Sequence, residues 1–481
     1  MSVLQRQSRF ERGEDVVVMK FGGTSVEDAP AIERLIGIVK SHPDRQPVLV
    51  VSALAKVTDQ LLEAGRAASD GHLGSALATV RNIYVRHEQL ADSLLSASAY
   101  GSLDRHLRSE FQALECLLEE LELSRHFDPK AQDRLLGFGE CFSSRLVCWA
   151  LIEAGLRASH VDARSCILTD SRHGQASPLW DVTNQRVQDV LNPLLQAGNI
   201  PVLGGFIAST PDGVPTSLGR GGSDFSAAIV GAAIGAARVE IWTDVDGVMT
   251  SDPKVCPDAR VIRKLSFDEA SDLAHAGAKV LHPATLGPAM RENIPVYVLN
   301  SRRPECQGTE ITARASTGNR VSAITTKRNV VLLEIQSRRG VDSALLNTLF
   351  AMLEQHASAV DFMGTSLDRI SLLVGSNHAL PEIVKDLQEV ADVRWENHKA
   401  LICLVGENIR RQPEVASRVF ATVSDMDVRV VCQGASERTL SFLVDESKAE
   451  ESLRRLHAAF FPRAEPSRDW GGISSPYCQA G

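Results

Sequence analysis

No stretch of this sequence stays apolar for the roughly 18 consecutive residues that span a bilayer, so no membrane partner is expected. Nor is there a basic excess: the formal net charge is −9, which argues against wholesale binding of nucleic acid. The first 15 residues, MSVLQRQSRFERGED, lack the apolar core of a secretory leader. Nine cysteines are scattered without a C-x-x-C pair, and no histidine cluster has zinc spacing, so no metal site is expected. An odd, unpatterned set suits a reducing cytoplasm, with most thiols serving as small buried hydrophobes. What remains is an ordinary globular balance, 44% hydrophobic and 23% charged, over 481 residues. That length suggests about two to four domains.

Apolar runs at VVVMKF (16–21), PVLVVSA (47–53), IPVLGGF (200–206), RVEIWT (238–243) and IPVYVL (294–299) predict buried strands. Helical patterns separate them, the longest a Leu-rich region over 59–125. Alternation of this kind to about residue 310 indicates an α/β fold with a three-layer domain. QGTEITARASTGNRV (307–321) is polar and reads in its later part as a linker. Beyond it, strands and amphipathic helices recur, and VDFMGTSLDRISLLV and VRVVCQGASERTLSFLV end 70 positions apart. This predicts two small repeated βαββαβ modules. The domains expected are therefore an extension over 1–15, a three-layer α/β domain over 16–310, a linker over 311–326, modules over 327–396 and 397–465, and a tail over 466–481.

The chemistry begins at KFGGTS. Lys20 ends a strand, and α/β sheets place ligands in the crevice at such ends. Gly22 and Gly23 would let a phosphate approach backbone N–H groups, and Thr24 and Ser25 add hydroxyls at the expected start of the next helix. A fixed ammonium beside such a nest would neutralise a transferring phosphoryl group. A second glycine element, LGRGGSD (218–224), leads into an Ala/Gly-rich helix. It matches neither G-x-x-x-x-G-K-[ST] nor G-x-G-x-x-G. Arg220 offers a planar fork for a carboxylate, and Ser223 or Asp224 is the expected N-cap. Thr243 and Asp244 stand at a strand end where a ribose or base could be held, and Lys279 lies in GAKVLHP beyond a capping box of Ser266 with Glu269. His282 reads as a packed structural histidine. Glu140, alone in an apolar helical segment, needs a partner: a substrate ammonium or a structural arginine.

Taken together, KFGGTSV (20–26), LGRGGSD (218–224), WTDVDGV (242–248) and GAKVLHPAT (277–285) resemble the aspartate kinase family, across nearly the whole chain from about residue 16. The resemblance implies an amino-acid-kinase, carbamate-kinase-like sandwich followed by two ferredoxin-like ACT modules. It implies phosphorylation of the side-chain carboxylate of L-aspartate by ATP, with Mg2+ carried on the nucleotide. In that reading Lys20 and Asp224 are catalytic. Ser52, Thr58, Glu140, Arg220, Gly221, Gly222 and Ser223 bind substrate. Gly22, Gly23, Thr24, Ser25, Thr243, Asp244, Lys254 and Lys279 bind ATP. His173, Met249 and Asp59 depart from the residues the family more often carries there.

VDFMGTS (360–366) retains the family's effector pattern, with Asp361, Thr365 and Ser366 as contacts, although the loop around Gly340 differs. Lysine is the first effector expected, threonine the second, and lost regulation the third reading. A homodimer is expected, with a tetramer as the alternative. Two rivals stand beside this reading: another acid kinase of the same fold, and a catalytically silent amino-acid sensor. A fused dehydrogenase domain is not expected in the residues after the last repeat.

Overall fold

The computed structural model describes residues 15–278, 283–314, 321–337, 340–356, 360–375, 380–433 and 436–462. The first domain is built on an eight-stranded sheet. Its strands are Asp15–Phe21 (β1), Arg45–Val51 (β2), Ala158–Val161 (β3), Ile200–Gly204 (β4), Arg238–Thr243 (β7), Lys264–Ser266 (β8), Val296–Asn300 (β9) and Thr309–Thr312 (β10). Ile207–Ser209 (β5) and Pro215–Ser217 (β6) form a separate hairpin. The sheet order is β3-β4-β2-β1-β7-β9-β10-β8, parallel throughout except between β9 and β10.

Two cores cover the two faces of this sheet. Val17, Met19 and Phe21 enter one with Leu49 and Val51; Val18 enters the other with Val50, Ile241 and the helix Gly222–Ile234. Successive strand side chains point to opposite faces. Lys20 therefore shares the face of Val18, the face that this Ala/Gly-rich helix covers. The Leu-rich region forms helices Val57–Ser69, Leu73–Leu94 and Ala97–Ser124, and helix Pro129–Glu153 follows them. The last of these is long and apolar enough to cross a membrane by composition, yet 72% of its apolar window is buried within the molecule. It is a core helix. Cys141, Cys148, Cys166, Cys256 and Cys403 are buried as unoxidised thiols, as small apolar side chains would be.

The second domain is one antiparallel six-stranded sheet. Its strands are Ala323–Gln336 (β11), Val360–Thr365 (β12), Arg369–Gly375 (β13), Asp392–Val405 (β14), Val431–Gln433 (β15) and Thr439–Asp445 (β16), in the order β12-β13-β11-β14-β16-β15. Helices Ser343–Gln355, Leu380–Gln388, Pro413–Thr422 and Ala449–Phe460 pack on it. The linker and module boundaries expected from sequence need correction here. Thr312 ends β10, and residues 323–326 already belong to β11. Residues 323–327 of β11 pair with 401–405 of β14, and Ile324 packs in the core of the second module. Val331, Leu333 and Ile335, further along the same strand, pack in the first. The second module thus takes a strand from ahead of the first and is not a contiguous segment. The polar Thr325-Thr326-Lys327-Arg328 stretch hid this, because it sits where the strand passes between two cores and is bulged.

The second module is bolted to the first domain. Ile324 N donates to Thr250 O at 2.8 Å, and Thr250 Oγ1 lies 2.9 Å from His457 Nε2. Arg438 Nε donates to Asp272 Oδ2 at 2.9 Å. Ser322 Oγ donates to the buried Glu269 at 2.6 Å, and Glu269 is the capping-box acid of helix Phe267–His275, as its sequence indicated.

Candidate active site

The parallel strands β1, β2, β4, β7 and β9 end along one edge, and the register sets Lys20 beside Val50 and Ile241. From that position Lys20 Nζ reaches Asp224 Oδ1 at 2.6 Å, both side chains nearly buried. The sheet geometry explains why an apolar strand ends on lysine. Its side chain points at the N-terminus of the covering helix, where Asp224 stands. Asp224 is not the N-cap: Gly221 occupies that position with φ 72°, and no side chain caps the helix. The ammonium of Lys20 takes the carboxylate that capping would have used.

Behind this pair lies a cavity of about 400 Å³. Ser52, Thr58, Glu140, Arg220, Gly221, Gly222 and Ser223 line it with Lys20 and Asp224, so these expected substrate residues do converge. Glu140 Oε1 accepts from Ala53 N at 3.3 Å, whereas Oε2 is buried with no partner among the described residues. Burial pushes the Glu140 carboxyl up to about 8, against the weaker pull of that backbone N–H. The structural arginine offered as one explanation of Glu140 is not seen among the described residues; the acid faces the cavity. Arg220 is exposed at the rim.

Two glycines act by close approach. A Cβ on Gly23 would lie 2.9 Å from Ala53 O, so this glycine makes room for the 53–55 loop. A Cβ on Gly205 would lie 2.6 Å from Ser223 Cβ and 2.7 Å from its Cα. Gly205→Ala should push the helix start, with Ser223 and Asp224, out of the site. The expected result is a fall in kcat/KM of roughly 10²-fold, with about 1–3 kcal/mol of overpacking destabilisation. Steady-state rates and a melting curve check it. Unchanged values for both would show that the helix start can shift without consequence.

At the other end of the edge, Gly22 N donates to Trp242 O at 3.1 Å, which joins the KFGGTS turn to the end of β7. A Cβ on Gly22 would lie 3.5 Å from Lys20 Nζ, filling the space beside the ammonium. Gly23–Ser25 form a 3-10 turn, and the helix follows only at Ala29–Lys40, capped by Asp28. Thr24 and Ser25 therefore do not open a helix, contrary to the sequence expectation. Ser25 is buried, its Oγ 2.7 Å from Ser301 Oγ, so its hydroxyl is already engaged. The turn is too short and too tightly hydrogen-bonded to the β7–β9 edge to be read from helical periodicity. Thr243 Oγ1 donates to Asp244 Oδ1 at 3.3 Å, and Asp244 and Lys254 are exposed. None of these three, nor Thr24, lines the cavity around Lys20. Lys279 and His282 lie outside the described residues.

Two positions that sequence reasoning missed hold these parts together. Ser301 Oγ also donates to Thr243 O at 3.1 Å, linking the glycine turn, β7 and β9. Asp133, buried on the helix that carries Glu140, accepts from Ser217 Oγ at 2.5 Å and Gly174 N at 3.0 Å, and lies 2.8 Å from His173 Nδ1. It ties that helix to the chain entering LGRGGSD. A lone aspartate amid helical polar residues gives no sequence signal of such a knot. In the second domain, Asp361 Oδ1 accepts from Lys327 Nζ at 2.5 Å, while Thr365 and Ser366 are exposed near the β12–β13 turn.

The chain also matches known proteins over most of its length. The family profile described as the amino acid kinase family matches residues 15–300, and an ACT domain profile matches 402–460. The lysine-sensitive aspartokinase 3 of Escherichia coli is 33% identical over 457 residues, spanning 93% of this chain and 99% of that protein. The crystal structure of E. coli aspartokinase III with aspartate and ADP (R-state) superposes with a TM-score of 0.83 at 32% identity, covering 93% of this chain and 100% of that one. Its T-state, with lysine and aspartate, gives 0.78 at 33% identity over 93% and 99%.

Proposed function

Because this chain belongs to the aspartokinase branch of the amino acid kinase family, we propose that it transfers the γ-phosphoryl group of ATP to the side-chain carboxylate of L-aspartate. The products are 4-phospho-L-aspartate and ADP. The observation that carries this reading is the cavity in which the Lys20–Asp224 pair, a half-satisfied buried Glu140 and the rim Arg220 face one space.

One aspartate carboxylate oxygen bonds to the γ-phosphorus. The bond to the β,γ-bridging oxygen breaks, and ADP leaves with that electron pair. No proton has to move, because a side-chain carboxyl with a reference pKa near 3.9 is ionised at neutral pH. Asp224 therefore organises Lys20 rather than accepting a proton. Lys20 neutralises charge on the moving phosphoryl group. Arg220 holds the acceptor's α-carboxylate bidentately, and the free Glu140 oxygen meets its ammonium. Ser52, Thr58, Gly221, Gly222 and Ser223 shape the rest of the acceptor pocket. The space beside Lys20 that a Cβ on Gly22 would fill suits a phosphate, with Gly23, Thr24 and Ser25 shaping the turn. Thr243, Asp244, Lys254 and Lys279 hold the remainder of the nucleotide. Mg2+ brought in with the nucleotide would help to offset the charge of its phosphates.

Asp361, Thr365 and Ser366 receive an amino-acid effector, lysine first and threonine second, as the E. coli relative is named for lysine sensitivity. Its signal would pass through the Thr250–His457 and Asp272–Arg438 contacts. Edge strands β12 and β15 leave pairing surfaces for a homodimer, or a tetramer, in the cytoplasm.

Trapping the acyl phosphate with hydroxylamine tests the reading. Aspartate, glutamate, acetylglutamate and carbamate are compared, each with and without lysine or threonine. Hydroxamate from aspartate alone is expected, with less in the lysine column. Product from another acid would overturn the roles of Arg220 and Glu140, and no product from any acid would favour a silent sensor.

A further inference from the structure

The 53–56 loop brings one more cation to the cavity. Lys56 lines it between Ala55 and Thr58, with its side chain exposed. Its backbone has φ 72° and ψ −7°, the left-handed region that side chains with a Cβ disfavour. Glycine or asparagine is the usual occupant of such a position.

The surrounding loop imposes this conformation. Ala55 N donates to Gly23 O at 3.2 Å, and Arg86 Nη1 donates to Ala55 O at 2.7 Å. Val57 N donates to Leu54 O at 3.0 Å, and Lys56 O accepts from Gln60 N at 3.0 Å. Lys56 heads helix Val57–Ser69 without capping it, and its ammonium has no ion pair or hydrogen bond among the described residues. The fold gains nothing from lysine here that glycine would not supply with less strain.

Electrostatics gives the side chain a use. Lys20, Lys56 and Arg220 line the cavity against Asp59, Glu140 and Asp224. Lys20 and Asp224 cancel one another at 2.6 Å. Burial favours the neutral form of Glu140 until a cation arrives. Lys56 and Arg220 then face the single exposed carboxylate of Asp59, a balance suited to an acceptor with two carboxylates.

We propose that Lys56 is a substrate-binding residue whose ammonium meets a carboxylate of the acidic acceptor and so favours dicarboxylic acceptors. The inference rests on the aspartate kinase reading. The test measures KM and kcat for aspartate at low and high salt, with melting temperatures, for wild type, Lys56→Met, Lys56→Gly and Lys56→Arg. Loss of one charged contact should raise KM about fivefold to tenfold in the Met and Gly variants, with kcat within about twofold. Wild-type KM should rise with salt, and the Met variant's much less. Lys56→Arg should restore most of the affinity.

Lys56→Gly carries the discriminating readout. Its melting temperature should rise as the strain is relieved while its affinity falls, a split that a merely structural lysine would not produce. A KM unchanged in the Met and Gly variants, with wild-type hydroxamate still formed from aspartate, overturns the Lys56 assignment alone. An Arg variant as weak as the Met variant overturns it too. Absence of product from aspartate in the wild type overturns the functional reading and this inference with it.

Discussion

Lys20→Ala is expected to lower kcat by at least about 10³-fold, which corresponds to about 4 kcal/mol of transition-state stabilisation. Several observations set that scale. Lys20 is the cation held at the strand edge inside the cavity, 2.6 Å from Asp224 and 8% exposed. A charge in so dry a place acts at a lower effective dielectric than it would in water. Phosphoryl transfer offers the protein little covalent chemistry, so alignment and charge neutralisation supply most of the rate. Removing the ammonium also leaves the Asp224 carboxylate uncompensated, and breaking a buried pair from one side costs about 3–5 kcal/mol in general. Melting temperature must therefore be measured beside turnover. Lys20→Arg keeps the charge but brings a planar, longer head group, so it should recover little activity. Asp224→Asn should be milder in its pH profile than a lost base would be, because no proton leaves the nucleophile. The check is kcat at saturating aspartate and MgATP. Turnover within tenfold of wild type in a folded Lys20→Ala variant would remove Lys20 from the chemistry.

The same residues show how far the sequence could be read. The strand-end lysine, the glycine pairs and the α/β alternation were legible because each leaves a local mark. The apolar run marked a buried strand ending near Lys20, and the glycine pair after it marked a close approach, although at Gly23 it is the 53–55 loop that comes near where the sequence suggested a phosphate. Asp224 shows the limit. At the head of a helix it reads as a cap, and only the packing of that helix over β1 reveals an ammonium competing for it. Ser301 and Asp133 were invisible for a related reason. Each acts by joining segments distant in sequence, Ser25 with Ser301 across 276 positions and Asp133 with Ser217 across 84. The split of β11 between two cores escaped as well, since a polar stretch inside a strand resembles a linker until its partners are known.

Glu140→Gln should strengthen the empty protein at high pH while weakening its hold on aspartate. The wild-type carboxyl is buried, with its pKa raised from 4.5 to about 8 by desolvation. Below about pH 4.5 folded and unfolded chains both hold the proton, and stability is greatest. Between there and about pH 8 the unfolded chain releases it and the folded chain keeps it. Folded protein then binds one proton more, so stability falls by about 1.4 kcal/mol for each pH unit. Above pH 8 both are ionised and the loss remains, on the order of a few kcal/mol. Glutamine keeps the shape and can still accept from Ala53 N, but cannot ionise. The two proteins should therefore melt alike near pH 5 and separate by pH 9, with the variant higher. Substrate reverses the balance. An aspartate ammonium pairs with ionised Glu140, so binding to wild type at pH 7 should release a proton, and affinity should climb as pH rises toward 8. A charge-assisted hydrogen bond of about 1.5–3 kcal/mol sets the cost of losing it at roughly 10- to 100-fold in KM. Calorimetry in buffers of different ionisation enthalpy counts the released proton, and melting curves at pH 5, 7 and 9 follow stability. Parallel curves with an unchanged KM would mean that Glu140 meets neither a buried cost nor a substrate ammonium. Opposite movements of stability and affinity would identify it as a charge kept in the core for its ligand.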